Sequence, residues 1–154
     1  MLKILDEKFE EIILVVLLGL MVSVLGIQIV ARYIFNNSLS WSEEFVRYLF
    51  VWSAFMGIPY SIKKGISIRV DFFVYKMPYK NQQKLKVFNY LFIIALFFIL
   101  AIFSVDVLTK SFISGQKSAA MGIPSWLLQA SVILSSFLSI IRSVQKLIGL
   151  RRTK

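Results

Sequence analysis

Four long stretches without a charged side chain divide this chain, at residues 12–31, 48–62, 87–105 and 118–141. The second continues upstream through Phe45 and Val46, beyond Arg47. A bilayer-spanning helix needs about 20 mostly apolar residues. The pattern therefore predicts four spanning helices in a single membrane domain over residues 1–154, at about 12–34, 42–63, 86–108 and 124–146. The fold class is all-α integral membrane. Pro124 suits the first helical position and is expected to open the fourth helix. The first span reads as a retained helix rather than a cleaved signal. Its leader mixes Asp6, Glu7, Glu10 and Glu11 with Lys3 and Lys8, and its apolar run is too long.

The polar connections add detail. Asn36 and Asn37 are turn residues, and Ser40 with Glu43 has the spacing of a capping box that starts helix two near Trp41. Glu43 and Glu44 then sit in the first turn, where the helix dipole favours anions. Glu43 and Arg47 have the spacing of an i,i+4 ion pair. The same three residues could instead form a docking point on the external face. Between spans two and three, alternation from Ile66 suggests a strand that would have no partner. On a helix, Ile66, Val70, Phe73 and Met77 share one face, so an interfacial amphipathic helix is expected over about 66–77. Trp41 and Trp126 each follow a serine at a helix start, where tryptophan anchors to the membrane interface.

Composition agrees with this picture. Apolar residues make up 58% of the 154 and charged residues 17%, against about 25% charged in soluble domains. There is no cysteine and no histidine, which removes disulfides, thiolate or imidazole metal sites and histidine relays. Eighteen Lys and Arg face eight Asp and Glu, for a net charge of +10. Fourteen of the eighteen lie on the side holding the termini and the middle loop, and four (Arg32, Arg47, Lys110, Lys117) on the other. Basic loops stay in the cytoplasm, so both termini are expected inside. The excess charge is then a topology signal and an attraction to anionic membrane lipids, not a nucleic-acid footprint.

Helices pack in lipid where small residues allow close approach. Three stripes qualify: Gly19, Ser23 and Gly26; Ser53, Gly57 and Ser61; and Ser131, Ser135, Ser139 and Ser143. They are candidate packing or subunit-contact faces. Span three, rich in Phe, is expected to be more exposed to lipid. Pro59 interrupts helix two and frees the Phe55 carbonyl. Carriers mark their path with ionisable groups at mid-membrane, whereas the charges here stand near helix ends. No catalytic, cofactor, metal or substrate site is expected in this chain.

The stretch from Arg32 to Gly57, RYIFNNSLSWSEEFVRYLFVWSAFMG, resembles the small membrane subunit of TRAP (tripartite ATP-independent periplasmic) transporters. So do Lys63-Lys64-Gly65, Ile68-Arg69-Val70-Asp71 and Gly122-Ile123-Pro124. The resemblance implies a bacterial inner-membrane importer of organic acids in three parts. A periplasmic substrate-binding protein delivers the solute, and a large permease subunit binds sodium and substrate and moves them by an elevator motion. The small subunit packs beside the permease as a scaffold. Matching residues Glu43, Glu44, Arg47, Trp52, Arg69 and Asp71 would serve folding, anchoring or subunit contact, with Arg69 and Asp71 at the interface. An independent small multidrug-type carrier acting as a homodimer is the competing reading. Such carriers use a membrane glutamate on their first helix, and residues 12–31 contain none.

Overall fold

A computed structural model of the chain describes residues 2–65 and 79–152. Four helices hold most of them: α1 (Leu2–Tyr33), α2 (Ser40–Lys64), α3 (Tyr79–Ile113) and α4 (Trp126–Arg152). Each contains a stretch long and apolar enough to cross a bilayer. Among the described residues there is no sheet, only an isolated bridge between Lys117 and Pro124. The all-helical membrane class read from the sequence is the observed one. The expected interfacial helix, with Arg69 and Asp71, lies outside the described residues.

The helices outrun their apolar stretches. α3 has 35 residues, about 52 Å at 1.5 Å per residue, against a hydrocarbon core of about 30 Å. The extra turns lie mostly on the side that holds the termini: α1 begins at Leu2 instead of near residue 12, and α3 begins at Tyr79 instead of near 86, although α3 also runs past 108 to Ile113 on the other side. An apolar run marks what the bilayer needs. A helix continues past it through Lys, Gln, Glu and Leu, all good helix formers, until something stops it.

Two helix starts differ from expectation. α4 begins at Trp126, two residues after Pro124, because Pro124 is held in the bridge to Lys117 and the amides of Ser118 and Ser125 bond back within the turn. At α2 the cap position is Leu39, with no side-chain cap. Ser42 Oγ donates to the Leu39 carbonyl at 2.6 Å. The capping box fails because its glutamate is engaged by Gln28 of α1. The other end of α2 closes on Gly65 at φ 70°, whose N–H bonds to the Ile62 and Ser61 carbonyls. That left-handed turn suits glycine.

In space the helices run α1–α2–α4–α3, with α2 and α4 central and α1 and α3 flanking. α1 meets α2 along Glu10, Leu14, Leu17, Met21, Val24 and Gln28, all buried or half-buried. Steps of four and three alternate along that seam, as in coiled coils. The expected stripe Gly19, Ser23, Gly26 is not on it. These residues are exposed, and a Cβ added at either glycine would meet nothing within 4 Å. The α4 stripe does pack. Ser131, Ser135, Ser136, Ser139 and Ser143 are fully buried, which lets α4 sit between α2 and α3. Met56 and Pro59 of α2 are buried with them. Outward, α3 presents Phe88, Phe92, Phe98 and Phe103 at high exposure, the lipid-facing character expected of it.

Candidate functional site

Polar side chains tie the helices together at both ends and in the middle. At the end carrying the termini, Glu10 of α1 is wholly buried and accepts from two cations. Lys63 Nζ of α2 lies 2.6 Å from its Oε2, and Arg142 Nε of α4 lies 2.7 Å from its Oε1. Arg142 Nη1 also donates to Gln145 Oε1 at 2.8 Å. A carboxylate taken out of water needs paired, hydrogen-bonded cations, and here each oxygen has its own. Beside this cluster, Lys64 and Glu11 make a looser, half-exposed pair at 3.6 Å.

The opposite end uses neutral donors. Glu44 accepts the backbone N–H groups of Ala119, Ala120 and Met121 at 3.2, 2.8 and 2.8 Å. Consecutive amides aimed at one anion form a concave nest. The α3–α4 turn is shaped for it: Gly122 takes φ 68°, Ser118 N–H reaches the Ile123 carbonyl, and Ile123 N–H reaches Ser118 Oγ. Glu43 meanwhile accepts from Gln28 Nε2 of α1 at 3.1 Å. The expected Glu43–Arg47 pair does not form among the described residues, since Gln28 has taken the carboxylate and Arg47 points out, exposed. Trp41 is exposed and packs edge-on to Phe45, while Trp126 packs likewise on Phe112 of α3.

At mid-depth the carbonyl that Pro59 leaves free is occupied: Ser135 Oγ of α4 donates to Phe55 O at 2.6 Å. Gln129 of α4 donates to Ser111 Oγ of α3 at 3.1 Å. Ser131, Ser136 and Ser61 return their hydroxyls to their own helix backbones. The stripe Ser53, Gly57, Ser61 is half-buried. It lines a groove open between α2 and α3.

The glutamate cluster was not foreseen from the sequence, where Glu10 appeared as one of several leader acids. Its signal lies in the α1 seam, which has Glu10 and Gln28 in register with four apolar positions. Among the described residues no group of three His, Cys, Asp or Glu could hold a metal ion.

Buried charge committed to helix-to-helix ties, within four spanning helices, defines a multi-pass membrane protein assembled around α2 and α4. Residues 21–153 match the family model of the DctQ component of tripartite ATP-independent periplasmic transporters, and the chain belongs to that family. It is 35% identical over 85 residues to the sialic acid TRAP transporter small permease protein SiaQ of Vibrio cholerae, covering 55% of this chain and 49% of that protein. A putative TRAP transporter small permease protein of Haemophilus influenzae is 36% identical over 80 residues, 52% of this chain and 50% of that one. The chain thus spans about half the length of these two relatives. The isethionate TRAP transporter permease protein DctMQ of Oleidesulfovibrio alaskensis is 26% identical over 94% of this chain, which covers 24% of that longer protein.

Proposed function

We propose that this chain is the small, non-transporting membrane subunit of a TRAP importer and stiffens the immobile frame beside which the large permease moves. The family membership supports the transporter setting. The match to one quarter of a longer permease protein supports a partnership with a large permease. The observation that carries the scaffold role is where the charge goes. Among the described residues the buried charged groups are Glu10 and Arg142, which pair with each other, while Glu10 also accepts from Lys63, near one membrane face. A carrier would place such groups along its path at mid-depth. Here the ionisable groups fasten α1, α2 and α4, while Glu44 fastens the α3–α4 turn.

Both termini lie in the cytoplasm in this reading, in the bacterial inner membrane, so the Glu44-held turn faces the periplasm. A substrate-binding protein would approach there with an organic acid. Sodium and substrate bind the large permease. The open stripe Gly19, Ser23, Gly26 of α1 offers a permease helix a close approach.

Affinity purification of the tagged chain from its native membrane, followed by mass spectrometry, tests the proposal. A large permease recovered in stoichiometric amount is the expected result. Recovery of this chain alone as a homo-oligomer overturns the scaffold reading and favours the small-carrier one.

A further inference from the structure

A groove opens between α2 and α3. It measures about 590 Å³ and is lined on α2 by Ser53, Gly57 and Ser61 and on α3 by Asn89, Phe92 and Leu96. Its α2 wall covers residues 53–62, about 14 Å along the helix axis. That is close to half of a hydrocarbon core of about 30 Å. Since Ile62 and Asn89 lie toward the end that carries the termini, the groove occupies one leaflet, from mid-membrane to that surface.

The two walls continue into cations. Lys64 stands seven residues after Gly57 on the same helical face, and Lys86 stands seven before Ile93. Both are exposed. Lys64 lies 5.5 Å from the Tyr60 ring centroid and 3.6 Å from Glu11, a contact too long and too exposed to neutralise it fully. Asn89, exposed between the apolar wall and the lysines, offers an amide at the depth of ester carbonyls.

We propose that this groove is a binding site for one anionic phospholipid of the leaflet on the side of the termini. An acyl chain lies against Gly57 and the α3 phenylalanine, the ester region meets Asn89, and the phosphate meets Lys64 and Lys86. Two observations favour a lipid over a partner helix. The groove stops at the middle of the bilayer, where a spanning helix would not. Among the described residues its mouth carries Lys64 and Lys86, with Glu11 as the one acid nearby, at headgroup depth. The inference rests on the four helices spanning a membrane and not on the transporter role.

The test uses the full chain, with whatever partner accompanies it, purified in mild detergent and exchanged against vesicles of phosphatidylglycerol or of phosphatidylcholine with the same chains. Native mass spectrometry counts the lipid retained. The expected result is one phosphatidylglycerol per chain, preferred over phosphatidylcholine by roughly 30-fold, as two lysines near an anionic headgroup would give. Lys64→Gln with Lys86→Gln should abolish that preference. Gly57→Leu should block retention of both lipids. It adds a side chain into open space and raises helix propensity, so folding is not at issue, and the lysine variants lie outside the core in any case. Equal retention of the two lipids by the unaltered chain overturns the proposal. So does Gly57→Leu retaining phosphatidylglycerol fully, and so does a Gly57→Leu chain that keeps its lipid but loses a co-purifying protein, which would assign the groove to a partner helix.

Discussion

Glu10 and Glu44 are both glutamates on spanning helices, and they solve the same problem with opposite partners. Glu10, at zero exposure, is held by two cations from helices 53 and 132 residues away in sequence. Glu44, at the other end, is held by three backbone amides of one turn. A buried carboxylate needs full countercharge because burial removes the solvent that would screen it. A carboxylate near water needs only directed donors, and a nest supplies these without ordering long side chains. The first arrangement fixes three helices relative to one another. The second fixes only the shape of a turn and its seat on α2.

The comparison can be broken most severely at Glu10. Glu10→Ala leaves Lys63 and Arg142 close together without their shared anion, and removing one member of a buried ion cluster costs about 3–5 kcal/mol. A marked fall in the detergent unfolding midpoint is expected, with Glu10→Asp intermediate. A midpoint unchanged in Glu10→Ala would mean that the cluster does not hold the helices. Next comes the middle tie. Ser135→Ala strands the Phe55 carbonyl and should cost about 0.6–1.7 kcal/mol, the range of hydrogen bonds between membrane helices. In a Pro59→Ala background that cost should shrink, since residue 59 regains an N–H able to reach Phe55. A double-mutant cycle measures this, and strict additivity would refute the link.

Glu44→Ala should change the unfolding midpoint less than either, while hydrogen exchange at the amides of Ala119, Ala120 and Met121 quickens. Protection that survives in Glu44→Ala would show the turn to be self-sufficient through Ser118 and Gly122. The smallest effect is expected at Arg47, which is exposed and without an ion pair among the described residues. Arg47→Gln should stay within about 0.5 kcal/mol of the unaltered chain. A larger loss seen only when the large permease is present would mark Arg47 as a subunit contact and sharpen the contrast between internal ties and external faces.

How much of this was legible beforehand varies by residue. The Phe55 carbonyl was legible as a vacancy, because proline lacks the N–H that would reach it. Its donor was not, since any of five serines on α4 could have turned that way. The capping box at Ser40 and Glu43 was a sound local reading that lost to a tertiary one. Gln28 comes from fifteen residues away to claim the carboxylate. The small-residue rule held for α4 and failed for α1, where large residues in a 3.5-residue rhythm made the contact and left Gly19 and Gly26 open.

The sequence by itself determined the number of spans and the helical class, because bilayer thickness imposes a length of apolar chain that composition alone satisfies; the family was carried separately, by the motifs around Arg32 to Gly57. It did not determine the order α1–α2–α4–α3, the three-helix cluster at Glu10 or the groove between α2 and α3. In lipid, an apolar face gains little by touching another helix rather than an acyl chain, so hydropathy carries no record of neighbours. Those were decided in tertiary structure by close fit and by the few polar groups that had to find partners away from water.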